Sequence, residues 1–406
     1  MNNWIKLKVE DVCDFIGGSQ PPKTEFIDHY KPGYIRLVQT RDFKTDKFPT
    51  YIPEGSTTKL FRKEDIVIGR YGPPIFQIFR GMEGAYNVAL IKAVPKNNII
   101  NEFLYYFLRQ NTVFEYVEKL SSRTGGQTGV DLISLYKYPI NLPEKTEQIK
   151  ISGVLSALDS KIELNNHINS ELEAMAKMLY DYWFVQFDFP DKNNKPYKTS
   201  GGKMVWNNEL KREIPEGWEV KPLSEITDVS NESLNPMDFP DKEFNYYSIP
   251  GFDETGTFKI EKGFEIKSNK YSIKKTDVLV SKLNPWFSRV IYATDDMDLI
   301  SSTEFVVWRT ESTAIKNYLY MIARDASFVT FCTKSASGTS NSHKRVNPAV
   351  MMNYQIVFDN AIAKMFGNTL GSSIKMLAKN KIENQKLTEL RDWLLPMLMN
   401  RQVKVN

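Results

Sequence analysis

Apolar positions recur along two stretches of this chain in alternating steps of three and four residues. In the first, Leu155, Leu158, Ile162, Asn165, Asn169, Leu172, Ala176, Leu179 and Trp183 fall on one stripe of a helix. In the second, Leu370, Ser373, Leu377, Asn380, Asn384, Leu387, Arg391, Leu394 and Leu398 keep the same steps. One such stripe is what any helix packed on a core would show. Two in register say more: Asn165 and Asn380, Asn169 and Asn384, Leu172 and Leu387, and Leu179 and Leu394 are each 215 positions apart. An asparagine on an apolar seam costs stability unless its amide finds a partner, and it then fixes register and partner choice. The pattern predicts two long helices that pair with each other. A duplicated module favours antiparallel packing, with Asn165 opposite Asn384, but the asparagines alone do not decide it, since parallel packing would set Asn165 opposite Asn380.

The segments ahead of the helices repeat as well. WIKLKVEDVCDF from Trp4 matches WEVKPLSEITDV from Trp218, FRKEDIVIGR from Phe61 matches IKKTDVLVSK from Ile273, and FLYYFLRQN from Phe103 matches YLYMIARDA from Tyr318. Short runs rich in Val, Ile, Tyr and Phe, punctuated by Gly, Pro and Asn, predict strands joined by turns, with one helix per unit at Glu102 to Lys119 and Lys316 to Thr333. The expected fold class is α/β (α+β): two tandem mixed α/β domains separated by a long antiparallel two-helix coiled coil, with pseudo-two-fold symmetry. Residues 1–143 and 216–358 are the expected domains, 144–187 and 359–406 the helices. Residues 188–215, with their Pro, Gly, Asn and Lys content, read as an exposed linker.

Composition narrows the function. Two domains of ordinary size and a helical spacer fill the 406 residues. Cys13 and Cys332 are the only cysteines and do not occupy equivalent positions, so no disulfide framework is expected and a reducing cytoplasm is. No apolar signal core opens the sequence and no run is long enough to cross a bilayer. A formal net charge of +4 suits a nucleic-acid partner only where cations are concentrated locally. His29, His167 and His343 are isolated, which removes the usual zinc and Cys/His constellations, and Gly17-Gly18 lacks the later glycine of a phosphate-cradling loop. No metal or cofactor is expected in this chain.

Two short motifs bear on that absence. Asn284-Pro285-Trp286-Phe287 is similar to the Asn-Pro-Pro-aromatic loop of adenine methyltransferases, but it lacks the second proline and a loop for the methyl donor. A turn within a DNA-facing surface is the better reading. Pro240-Asp241 with Glu265 and Lys267 fits a loose nuclease pattern of two carboxylates and a lysine, and it has no counterpart in the first module. A stand-alone Mg-dependent DNA endonuclease using Asp241, Glu265 and Lys267 is the alternative function.

What remains is recognition. Each module carries a small polar loop, SSRTGGQTG from Ser121 and SASGTSNSHKR from Ser335. Arginine, glutamine and asparagine pair with base edges, while lysine and serine suit phosphate. The candidate DNA-binding residues are Ser122, Arg123 and Gln127 in the first loop and Ser340, Asn341, His343, Lys344 and Arg345 in the second. Arg70 and Lys282 leave equivalent strands and join them, as do Arg36, Gln39 and Arg41 in YIRLVQTRDF, and Asn284 and Arg289 beside the second strand. Any one of these is as readily a solvated surface residue; their recurrence in both copies favours a shared surface. Leu158, Ile162, Asn165, Asn169, Leu172, Leu179, Leu377, Asn380, Asn384, Leu387 and Leu394 are the candidate helix-pair seam.

INLPEKTEQIKISGVLSALDSKIELNN followed by INSELEAMAKMLYDYWFVQFDFP resembles the central conserved region of the specificity subunits of type I restriction-modification systems. NKIENQKLTELRDWLLPMLM from Asn380 resembles their distal conserved region, and IPEGWEVKPLSEITDV from Ile214 the start of their second target recognition domain. The resemblance covers essentially the whole chain and is weakest inside the two recognition domains. It implies a non-catalytic subunit that binds double-stranded DNA and joins two modification subunits holding S-adenosylmethionine to two restriction subunits using ATP and Mg. Helices of about 35 residues at ~1.5 Å per residue would make a rod of roughly 50 Å, suited to setting the gap between two half-sites.

Overall fold

The computed structural model describes residues 4–72, 74–124, 127–338 and 343–405, with backbone alone at 122–124 and 127–128. It divides into two compact units, Met1–Ser160 with Leu387–Asn406, and Lys161–Lys386. Two long helices, Lys145–Tyr180 and Asn360–Met399, contribute residues to both.

In the first unit Ile66, Val67 and Ile68 form a fully buried strand, which suits β-branched side chains packed on both faces of a pleated surface. It lies in an antiparallel sheet ordered Cys13–Gly17, Leu90–Pro95, Ile66–Gly69, Ile78–Phe79. A second sheet is ordered Tyr51–Pro53, Tyr34–Val38, Gly84–Tyr86, Leu60–Phe61, with its two middle strands parallel. Phe103, Leu104 and Tyr106 of helix Asn101–Leu108 share one core with Ile66, Ile68 and Ile91, closed by Ile151, Leu155, Leu395 and Leu398 from the long helices.

The second unit repeats the connection order. Its antiparallel sheet runs Asp228–Ser230, Phe305–Arg309, Asp277–Ser281, Val290–Tyr292, and Glu243–Tyr247 pairs in parallel with Leu299–Ser301. The repeated basic turn before the buried strand has a shared cause. Asp65 accepts from Arg62 N at 2.7 Å and Asp277 from Lys274 N at 2.8 Å, closing the same turn. Each carboxylate also meets a cation from the neighbouring strand, Lys92 at 2.6 Å and Arg309 at 2.7 Å.

Two expectations change. The single helix expected in each unit is two: Asn101–Leu108 and Asn111–Leu120, then Thr313–Arg324 and Ala326–Lys334. The breaks fall at Gln110 and Asp325, whose backbones are extended, with ψ of 138° and 139°. Asp325 restarts the helix by accepting from Ser327 N at 2.9 Å, a cap that an apolar period does not reveal. Residues 188–215, read as an exposed linker, hold a hairpin of Met204–Asn207 with Arg212–Pro215. Phe189 and Ile214 join Phe187 and Trp218 in the core of the second unit, and buried Asp188 ties down Thr199 through its backbone N (2.7 Å) and hydroxyl (2.6 Å). Burying two aromatic rings outweighs the local preference of the intervening Gly, Lys and Asn for solvent.

Within the second unit the long helices pair antiparallel. Asn165 donates to Asn384 Oδ1 and to Glu383 Oε2, both at 2.9 Å, Asn380 donates to Asn169 Oδ1 at 2.9 Å, and Asn384 donates to Asn166 Oδ1 at 2.8 Å. As one helix advances from 165 to 169, its partner retreats from 384 to 380. Asn165 and Asn169 are buried, so each bond relieves an amide that water cannot reach.

Within the first unit the corresponding contact is charged. Asp159 accepts from Arg391 Nη1 at 2.7 Å, from the Tyr106 hydroxyl at 2.7 Å and from Arg109 Nη1 at 3.1 Å. Burial alone would raise the Asp159 carboxyl, but hydrogen bonds from Arg391 and Tyr106 and the two guanidinium charges hold it below the usual carboxylate range. Arg391, the one cation on the expected seam, is thereby accounted for.

Candidate nucleic-acid interface

In the second unit the candidate residues gather at the exit of strand Asp277–Ser281. Lys282 N donates to Glu304 O at 2.9 Å, and Lys282 O accepts from Val346 N at 3.0 Å. Asn284 N donates to Lys344 O at 2.7 Å while its side-chain oxygen accepts from Lys344 N at 3.0 Å. Leu283 bridges Arg345, which bridges Ser337 in turn. The backbone of the polar loop is therefore stitched to the strand exit, bringing Lys282, Asn284, Arg289, Lys344 and Arg345 together, with exposed His343 next in sequence. Ser340 and Asn341 lie outside the described residues.

The same stitch occurs in the first unit. Arg70 N donates to Ala89 O at 2.8 Å, Arg70 O accepts from Val130 N at 3.0 Å, and Tyr71 bridges Gly129. Ser122–Thr124 and Gln127–Gly129 form a two-stranded hairpin beside it. The side chains of Ser122, Arg123 and Gln127 lie outside the described residues. The Arg70 guanidinium sits 5.2 Å from the Tyr71 ring centroid. A Cβ added at Gly69 would meet Thr40 Cγ2 at 3.7 Å, so the turn Thr40–Phe43, which holds Arg41, starts beside this strand.

Charge pairing sorts the candidates. Arg36 is mostly buried and lies 3.6 Å from Asp42 and 2.5 Å from Asp46, while Gln39 donates to Thr50 Oγ1 at 3.2 Å, so both side chains brace their own turn. Arg41 is half exposed and reaches Phe48 O and Thr50 Oγ1 only at 3.4 Å. Arg289 forks onto Asp253 at 2.6 and 2.7 Å, and Arg345 forks onto Glu304 at 2.9 and 3.1 Å. The hydrogen-bonded Glu304 carboxylate raises the Arg345 pKa, keeping the exposed guanidinium charged. Lys282 and Lys344 make no ion pair among the described residues, which leaves them suited to phosphate. Glu304 and Asp253 had no sequence signal, because they meet their arginines across 41 and 36 residues.

The alternative chemistry fares differently. The Glu265 carboxylate accepts from Lys262 N at 2.9 Å, capping its own turn, a use that competes with metal binding. Among the described residues, no group of three or more His, Cys, Asp or Glu is placed to hold a metal ion. No helix among them is long and apolar enough to cross a membrane.

Residues 1–174 match the family described as type I restriction modification DNA specificity domain. The chain is 25% identical to the type I restriction enzyme MjaIX specificity subunit of Methanocaldococcus jannaschii, over 99% of this chain and 94% of that protein. It is 24% identical to the HindI specificity subunit of Haemophilus influenzae, over 76% and 78% of the two chains. Its fold is that of the type I restriction-modification S subunit from M. genitalium, with a TM-score of 0.62, 16% identity, and 98% and 96% of the chains covered. The matched domain, a relative aligned along nearly the whole chain and the duplicated fold with its paired helices all make this chain similar to the specificity subunits of type I restriction-modification systems.

Proposed function

We propose that this subunit reads a two-part DNA target, one part with the domain at 1–143 and the other with the domain at 216–358, each through the loop stitched to its strand exit. The observation that carries the reading is the repeated bond from Val130 N to Arg70 O and from Val346 N to Lys282 O, both at 3.0 Å. A duplicated anchor for a donor-rich loop is what a pair of equivalent readers requires. Arg123 and Arg345 are the proposed base readers, with Gln127, Asn284, Asn341 and His343 as further candidates; Arg41, Arg70, Ser122, Lys282, Ser340 and Lys344 are proposed to grip phosphate. Arg36, Gln39 and Arg289 act as positioning residues.

The chain is proposed to work inside a cytoplasmic complex of two modification and two restriction subunits. Those partners would supply S-adenosylmethionine, ATP and Mg, and this chain's own part is to bind and orient the duplex. The paired helices at 144–187 and 359–406 are proposed to set the gap between the two half-sites.

Mapping methylated adenines in DNA modified by the reconstituted complex tests the assignment. Arg345→Ala should lower specific binding by ~1–3 kcal/mol and relax one half of the mapped target, and Arg123→Ala should relax only the other half. Loss of both halves to either variant, or of neither to both, would remove these loops from base reading.

A further inference from the structure

Hydrogen-bonding side chains leave one part of the second unit's loop surface without a role. The turn Pro285–Phe287 is flanked on both sides by non-glycine residues in the left-handed region, Asn284 at φ 48° and Ser288 at φ 49°. Such backbones persist only where the surroundings hold them. Here Pro285 is buried and lines a small cleft with Phe328, Val329 and Cys332. Asn284 is bonded twice to the backbone of Lys344, and Arg289, forked onto Asp253, lays its guanidinium 4.5 Å from the Phe287 ring centroid. The outcome is two large aromatic side chains held toward solvent, Trp286 at 38% and Phe287 at 58% exposure, with ring centroids 5.9 Å apart.

The first unit does the opposite at the matching turn. After Arg70 the chain turns back to Ile78–Phe79, and Ile75 and Phe76 within that turn are 3% and 2% exposed, although Phe76 also has a positive φ of 59°. A left-handed residue there serves to bury a ring. In the second unit two of them serve to present a pair of rings.

We infer that Asn284–Ser288 is a DNA wedge: Phe287, buttressed by Trp286, inserts at a base step of the half-site read by the second unit and unstacks it. The inference rests on the proposed DNA-reading role of this loop surface. Apolar side chains inserted between base pairs partly unstack and kink a duplex, and an aromatic face replaces part of the stacking that is lost. Arg289 covers one face of the Phe287 ring and is neutralised by Asp253, so it positions the ring and leaves the other face for a base. Lys282 and Lys344 stand on the same stitched surface, where phosphates on either side of an opened step could be held. Deformable pyrimidine–purine steps open most easily, so the wedge adds selectivity for such a step without any hydrogen bond to its bases.

The test uses the complex reconstituted with modification subunits and duplexes carrying the mapped target, with 2-aminopurine placed at one position of the second unit's half-site at a time. Binding should raise the fluorescence severalfold at one step distinct from the methylated adenine, which the methyltransferase extrudes by itself. Phe287→Ala should abolish that rise and weaken specific binding about tenfold, Phe287→Leu should keep part of it, and the rise at the methylated adenine should survive both. Specific binding with no second rise would overturn the wedge, as would a second rise that Phe287→Ala leaves unchanged. A duplex bound without sequence preference would instead overturn the reading role on which the wedge depends.

Discussion

The two units hold their lengths of long helix together by different chemistry. In the second, neutral amides face one another: Asn165 with Asn384, Asn169 with Asn380. In the first, one carboxylate, Asp159, gathers Arg391, Arg109 and Tyr106. The Asn169–Asn380 pair gives geometry without net charge, so its strength does not depend on protonation across the ordinary pH range, although Asn165 beside it also donates to the Glu383 carboxylate. A half-buried carboxylate among guanidiniums is stronger and more vulnerable, because removing any member strands charge away from water. A shared ancestral pattern of apolar steps therefore accommodates two unlike locks.

The largest expected effect lies in the charged lock. Asp159→Ala leaves Arg109 without its carboxylate and Arg391 with Asp392 alone, and should cost about 3 kcal/mol or more, read as a drop in the urea midpoint. A loss below ~1 kcal/mol would reduce this network to an ordinary surface pair and erase the contrast. The amide lock should yield less. Asn169→Leu alone should cost ~1–3 kcal/mol by stranding Asn380, whereas Asn169→Leu with Asn380→Leu should recover most of it, since both polar groups then leave the seam. Equal losses in the single and double variants would mean that the amides do not satisfy each other.

The smallest effect is with pH. Because the folded Asp159 carboxyl titrates below its ordinary value of 3.8, its contribution is complete above that value and disappears as pH falls through the lower folded pKa. The stability of the first unit against unfolding should thus fall in acid below about 4, and Asp159→Asn should flatten that part of the profile. The amide pairs contribute no slope of their own, so an acid profile that Asp159→Asn leaves unaltered would show other carboxylates to be responsible.

Much of the architecture was legible in the sequence, and for a physical reason: helix pairing and module duplication leave periodic marks. The offset shared by Asn165 and Asn380, together with the case for antiparallel packing, anticipated the partner of each asparagine. What stayed hidden depends on residues far apart in the chain. Arg391 was visible as an odd cation on a seam, but Asp159 lies 232 positions away and belongs to no motif. Glu304 and Asp253, which restrain the Arg345 and Arg289 guanidiniums, are equally silent. Asp325 starts a new helix by local capping that a run of apolar residues masks, and the linker-like composition around Phe187 and Phe189 hides that they pack against Trp218.

The amide ladder also makes the second unit's helix register digital. A slip of one heptad would place Asn165 against Leu377 and Asn169 against Ser373, or, in the other sense, Asn165 against Arg391 and Asn169 against Leu387. Either shift would leave at least one buried amide facing a leucine, a penalty of about 1–3 kcal/mol for each orphaned group. Creep between the two strands of this zipper is thereby suppressed within the second unit.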